Sequence, residues 1–170
     1  RVLEHNPAAT EGAAVRAGEV LGADLAYLGT RFIATRESGA TDAYKAMLRN
    51  LAFTLSLYSG QMCTTTQAII VPADGIDSDE GHKSYDQVAA DLGAAVSALL
   101  AKPEVATAVL GAIQSPDTLA RIAKAATLGE VVVDSRKIDH SEFPNAEVRT
   151  PIVLKCDASD ENAFMQERFG

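Results

Sequence analysis

Hydrophobic positions recur along this chain at helical spacing in some stretches and as short continuous runs in others. From Asp42 to Leu57 they fall at Tyr44, Met47, Leu48, Leu51 and Leu55, which predicts a helix; Phe53 and Leu57 fill other faces, so its second half is expected to be buried all round. A second helix is clearer still. Tyr85, Val88, Ala89, Leu92, Ala95, Val96, Leu99 and Leu100 form one apolar stripe, with Lys83, Asp86, Gln87 and Asp91 off it. Pro103 starts a third, with Val105, Val109, Leu110 and Ile113. Ser115-Pro116 reads as the N-cap and first residue of a fourth, faced by Leu119, Ile122 and Ala126 and ended by Gly129. Upstream, "TEGAAVRAGEVLGA" predicts a short helix that starts at Thr10 or Glu11 and ends at Gly22. Another helix is expected from about Arg31.

Short apolar runs lie between these helices. Asp24 to Leu28, "QAIIVP" ended by Pro72, "EVVVD" and "RTPIVLKCD" each predict a strand. "ADGIDSDEGHK" reads as a surface loop, "QMCTTT" as a polar turn, and "SDENAFMQERFG" as a short helical or turn segment. Strands alternating with helices predict an α/β domain, a central sheet with flanking helices.

Composition narrows the function classes. The chain has 170 residues, enough for one domain, or one and a fragment. Its formal net charge of -8 repels phosphate backbones, so no nucleic-acid partner is expected. No apolar run reaches bilayer length and "RVLEHNPAATEG" has no signal-peptide core, so no membrane partner is expected either. Two cysteines, Cys63 and Cys156, make no disulfide framework, which suggests a reducing, cytoplasmic setting. The first residue is not methionine and the last are "ERFG"; a cut inside a larger protein is expected. His5, His82 and His140 lack ligand spacing, and "DGIDSDEGH" lacks the full calcium-loop pattern, so no metal site is expected.

The candidate chemistry lies at Cys63, in "SLYSGQMCTTTQAIIVP", between a helix end and a predicted strand. A thiolate held there could attack an aldehyde carbon and form a thiohemiacetal, given a means of losing its proton and donors for the oxyanion. The plainer reading is a small buried residue filling a turn.

"NLAFTLSLYSGQMCTTTQAIIVP" resembles the nucleophile segment of the aldehyde dehydrogenase superfamily: a helix, Gly-Gln-x-Cys, then a strand. The Met-Cys-Thr-Thr variant looks most like the branch associated with phenylacetate degradation. "QERFG" resembles the Glu-x-Phe-Gly motif that follows the cysteine in that superfamily by about a hundred residues; here the separation is 167 − 63 = 104. The resemblance covers about residues 47–170, as a partial catalytic domain. It implies oxidation of a small-molecule aldehyde to an acid with NAD or NADP, in aromatic-acid catabolism. It makes Cys63 the nucleophile and places Glu167 and Phe169 on the nicotinamide side of the cofactor. There are departures. No residue matches the superfamily's upstream general-base glutamate; Glu37, the nearest upstream acid, has the wrong surroundings. The cofactor domain and the segment beyond "ERFG" are also missing, so the fragment is expected to be inactive.

Residues 1–46 resemble something else. "LGADLAYLGTRFIAT" is similar to the last strand-helix unit of the flavin-dependent nitronate monooxygenases, barrel enzymes related to 2-nitropropane dioxygenases. That resemblance implies a βα unit of barrel type, with Gly29 and Thr30 holding an FMN phosphate at a helix N-terminus. The alternative for the pair is an ordinary helix cap. With a single barrel unit present, no working flavin site is expected. The chain thus reads as a chimera joined between about Thr41 and Asn50. Its rival readings are an FMN-dependent nitronate oxidation and a non-catalytic remnant, and a truncated sheet edge favours a homo-oligomer.

Overall fold

The computed structural model describes residues 2–4, 25–27, 42–63 and 65–157. The chain divides into two compact units, Arg1–Met47 with Ile70–Tyr85, and Leu48–Ile69 with Asp86–Gly170. The class is mixed α/β. Among the described residues the strands lie in four two-stranded sheets rather than one central sheet.

In the first unit, strand β1 (Val2–Glu4) pairs in parallel with β2 (Leu25–Tyr27), and β2 falls inside the predicted run. Two parallel neighbours need a crossover between them. The helices predicted on either side of β2 lie outside the described residues. Helix α1 (Ala43–Ser56) begins in this unit, with Ala43 and Tyr44 buried. Its start is capped from a distance: the Tyr44 backbone N–H donates to Asp79 Oδ1 at 2.9 Å, so a carboxylate sits at the positive end of the helix. Asp79 belongs to a segment expected to be loop. The structure instead forms a hairpin there, β3 (Ile76–Ser78) antiparallel to β4 (Gly81–Lys83). Ser78 Oγ closes it by donating to the Gly81 carbonyl at 2.8 Å, while Gly81 takes the φ of 100° that the turn requires.

The second unit holds the rest of α1 and three further helices, α2 (Tyr85–Leu99, entering from Asp86), α3 (Pro103–Val109) and α4 (Pro116–Ala125). Leu48, Ala52 and Leu55 of α1 are buried. So are Val88, Leu92 and Val96 of α2, with Leu100 just beyond it, four residues apart as the apolar stripe predicted. Ala106, Val109, Leu110 and Val148 are buried as well.

Strand β5 (Glu130–Val133) pairs antiparallel with β8 (Val153–Lys155), and β6 (Lys137–Ile138) with β7 (Val148–Arg149). The run "RTPIVLKCD" therefore contributes to two sheets instead of forming one strand. The change of partner comes at Thr150-Pro151. Thr150 exchanges hydrogen bonds with Ser135 and Arg136, and proline has no N–H for a ladder. Helix α3 also stops earlier than its pattern suggests. Ile113 N donates to the Glu147 carbonyl at 2.8 Å and Ala112 bridges Val148, so the chain leaves the helix to run beside β7. The predicted strand "QAIIVP" is absent: residues 66–72 have no regular structure and Ile69 is exposed. A strand exists only with a ladder partner, and none of the described strands supplies one.

Candidate functional site

Helix α1 ends in a tight turn, Leu57–Gly60, whose backbone turns left-handed at Tyr58 and Ser59 on the way to the cysteine. Three consecutive residues there have positive φ: Tyr58 at 51°, Ser59 at 56° and Gly60 at 77°. A left-handed conformation costs energy for a non-glycine residue and persists only where the surroundings hold it. Ser59 and Gln61 supply that hold. Ser59 Oγ lies 2.8 Å from the Gly111 carbonyl and 3.1 Å from the Arg149 carbonyl, sharing its one proton between them, and accepts from Gly111 N–H at 3.2 Å. The Gln61 side chain donates to the Tyr58 and Ala112 carbonyls, each at 2.9 Å, and its Oε1 accepts from Gln114 N–H at 3.0 Å.

The loop that receives these bonds is fitted closely to the turn. A Cβ added to Gly111 would meet the Tyr58 backbone at 3.2 Å. Beyond the cysteine, Thr65 N–H donates to the Met62 carbonyl at 3.0 Å, and Thr66 Oγ1 lies 3.2 Å from Thr54 Oγ1 of α1. Ser56 Oγ and Thr65 Oγ1, before and after the turn, are buried without a hydrogen-bond partner. The Cys63 thiol is free and exposed. The plainer reading of Cys63 as buried filler therefore fails on burial. The site consists of an accessible thiol on a backbone tied down on both sides.

The other candidates do not join it. Glu167, Phe169, Gly29, Thr30 and the discounted Glu37 lie outside the described residues. Cys156 is half-buried, with Sγ 3.7 Å from the Leu128 carbonyl, as a structural thiol would be. A cleft of about 630 Å³ in the second unit is lined by Leu110, Ala112, His140, Phe143 and Val148 among others, and Cys63 is not part of its wall. Among the described residues no group of three or more His, Cys, Asp or Glu side chains could hold a metal ion, and no single helix is long and apolar enough to cross a membrane. The sequence reading quoted Gln61 within Gly-Gln-x-Cys but gave neither it nor Ser59 a role. The residues were in plain view, but their partners lie more than fifty positions away.

No family model matches the chain, and no curated protein matches it. Among solved structures, the chain is similar to the crystal structure of an NAD-dependent aldehyde dehydrogenase from Burkholderia multivorans, with 48% identity, a TM-score of 0.71 and 74% of this chain covered. The chain spans 23% of the length of that protein.

Proposed function

We propose that the chain belongs to the aldehyde dehydrogenase superfamily and carries the cysteine-bearing piece of its catalytic domain. The exposed Cys63 thiol, on a turn pinned by Ser59 and Gln61, carries the reading. The similarity to an NAD-dependent enzyme at 48% identity supports it. The whole protein would oxidise an aldehyde to an acid with NAD or NADP, through a thiohemiacetal and then a thioester. The Met62-Cys63-Thr64-Thr65 variant favours a substrate from aromatic-acid catabolism of the phenylacetate type.

This chain's own contribution is the first step. The thiolate attacks the carbonyl carbon and a C–S bond forms. The carbonyl oxygen takes up the negative charge, and the proton given up by the thiol neutralises it. A fixed turn matters because the developing oxyanion needs donors already in place. A dinucleotide sits at the carboxyl ends of parallel strands, where a helix N-terminus meets its phosphates. Among the described residues the only parallel pair is β1 with β2, three residues each, and the chain after β2 lies outside them. The described residues therefore do not make up a dinucleotide site. With no matching general-base glutamate in the sequence, the chain alone should form the adduct without turning over.

Peptide-resolved labelling tests the reading. Phenylacetaldehyde should protect Cys63 from iodoacetamide while Cys156 in the same molecules is labelled at its usual rate. Equal labelling of Cys63 with and without aldehyde would sink the assignment. A yellow protein releasing FMN on denaturation would instead favour the flavin reading of Gly29 and Thr30.

A further inference from the structure

We propose that Gln61 is a positioning residue for the Cys63 thiol: its amide locks the nucleophile turn to the loop 111–114. This rests on the reading of Cys63 as a nucleophile.

A glutamine amide has two donors and an acceptor oxygen. Here one donor goes to Tyr58, within the strained turn, and the other to Ala112, while the oxygen receives Gln114 N–H. One side chain thus joins the left-handed residues to a loop about fifty positions further on. Ser59 ties the same turn from its middle, to Gly111 and Arg149. The two differ in reach. Ser59 sits within the positive-φ run, whereas Gln61 follows it and lies two residues before the cysteine, with only Met62 between. The Met62 carbonyl in turn accepts from Thr65 N–H, which carries the constraint across Cys63.

The chemistry of the contact is specific to an amide. A glutamate has nearly the same shape, but its carboxylate would face two carbonyl oxygens with no proton to give. A methionine keeps the length and loses all three bonds. Because the Cys63 side chain is exposed, side-chain packing cannot fix its direction; its backbone must. Without Gln61 the run of three positive φ values is still held by Ser59, but the chain from Gln61 to Cys63 loses its tie to the loop 111–114, and the thiol moves with it.

The test compares two reactions of one thiol. Acylation by p-nitrophenyl acetate forms a C–S bond and passes through a tetrahedral oxyanion, which collapses to a thioester as p-nitrophenolate leaves. Alkylation by iodoacetamide displaces iodide and forms no oxyanion. The ratio of acylation to alkylation at Cys63 therefore reads placement against oxyanion donors, and thiol exposure or ionisation alone changes it little. Mass spectrometry gives it for the wild-type chain, for Gln61→Glu and for Gln61→Met, with glutathione as the reference thiol. The wild-type ratio should exceed glutathione's and fall about tenfold in both variants, as a misplaced reacting group would make it. Ser115→Ala, which removes a cap on α4, should leave the ratio at its wild-type value and controls for general loosening of the fold. Circular dichroism checks that each variant is folded, and either Gln61 variant alone suffices. A raised wild-type ratio that persists in the folded variants overturns the positioning role and leaves the nucleophile reading standing. A wild-type ratio no higher than glutathione's overturns the nucleophile reading, and the positioning role with it.

Discussion

Gly129 occupies a place where no side chain fits. A Cβ added there would lie 2.6 Å from Cys156 Sγ and 2.6 Å from the Lys155 carbonyl oxygen. Neither distance is tolerable, so Gly129→Ala must push the end of β8 away from the start of β5. Overpacking of this kind costs roughly 1–3 kcal/mol. A lower urea midpoint with an unchanged slope, the two multiplying to a loss of that size, is the expected result. Adding Cys156→Ala should recover only part of the loss, because the clash with the Lys155 carbonyl remains. Full recovery would mean that the thiol alone sets the spacing. From the sequence this glycine reads as the end of a helix. In fact α4 ends at Ala125, and the glycine serves the approach of the two strands, a demand made by residues far along the chain.

The start of α4 is a purely local matter. Ser115 is extended at the N-cap, its Oγ accepts from Asp117 N–H at 3.2 Å, and Pro116 follows at the first helical position. Ser115→Ala leaves that N–H without its acceptor and should cost about 1 kcal/mol in a urea melt; no change in the midpoint would show that water replaces the hydroxyl fully. Such local signals explain what could be read in advance. The stripe of α2 and the cap of α4 are written within a few turns of helix, and both appear as expected. Features that depend on distant partners were not legible. "QAIIVP" has the composition of a strand, but composition supplies no partner. The β3–β4 hairpin has almost no apolar alternation, and hydrogen bonds at Ser78 and the glycine conformation of Gly81 shape its turn instead. At the candidate site the sequence marked the cysteine and its turn. It could not show that Gln61 reaches residues 112 and 114, because that contact exists only once α3 has ended and the chain runs beside β7.

At the scale of the whole chain, acidic residues outnumber basic ones, 23 against 15, and among the described residues several cations pair with particular carboxylates. In the first unit Glu80 contacts Lys45 at 2.7 Å and Lys83 at 2.9 Å; in the second, Glu147 contacts Lys137 at 3.0 Å and Arg149 at 3.2 Å. Hydrogen bonds from these cations hold both carboxyls below the usual glutamate range: Lys45 first and then Lys83 for Glu80, Lys137 first and then Arg149 for Glu147. A carboxyl whose folded pKa is depressed adds stability above its unfolded pKa and loses it as pH falls through the folded value. Lys155 has the opposite sign. Held by Glu130 and then Asp86, its pKa is raised, so its contribution is complete below the ordinary lysine range and is lost only in alkali beyond it. The melting temperature should therefore be nearly flat through neutrality and decline once pH passes below the ordinary glutamate pKa of about 4.3. The double variant Glu80→Gln, Glu147→Gln removes both titrations while leaving the cations in place. Its melting temperature should be lower than wild type at neutral pH and converge on wild type in acid. Parallel acid limbs, offset by a constant amount, would mean that these clusters contribute shape but no charge-dependent stability.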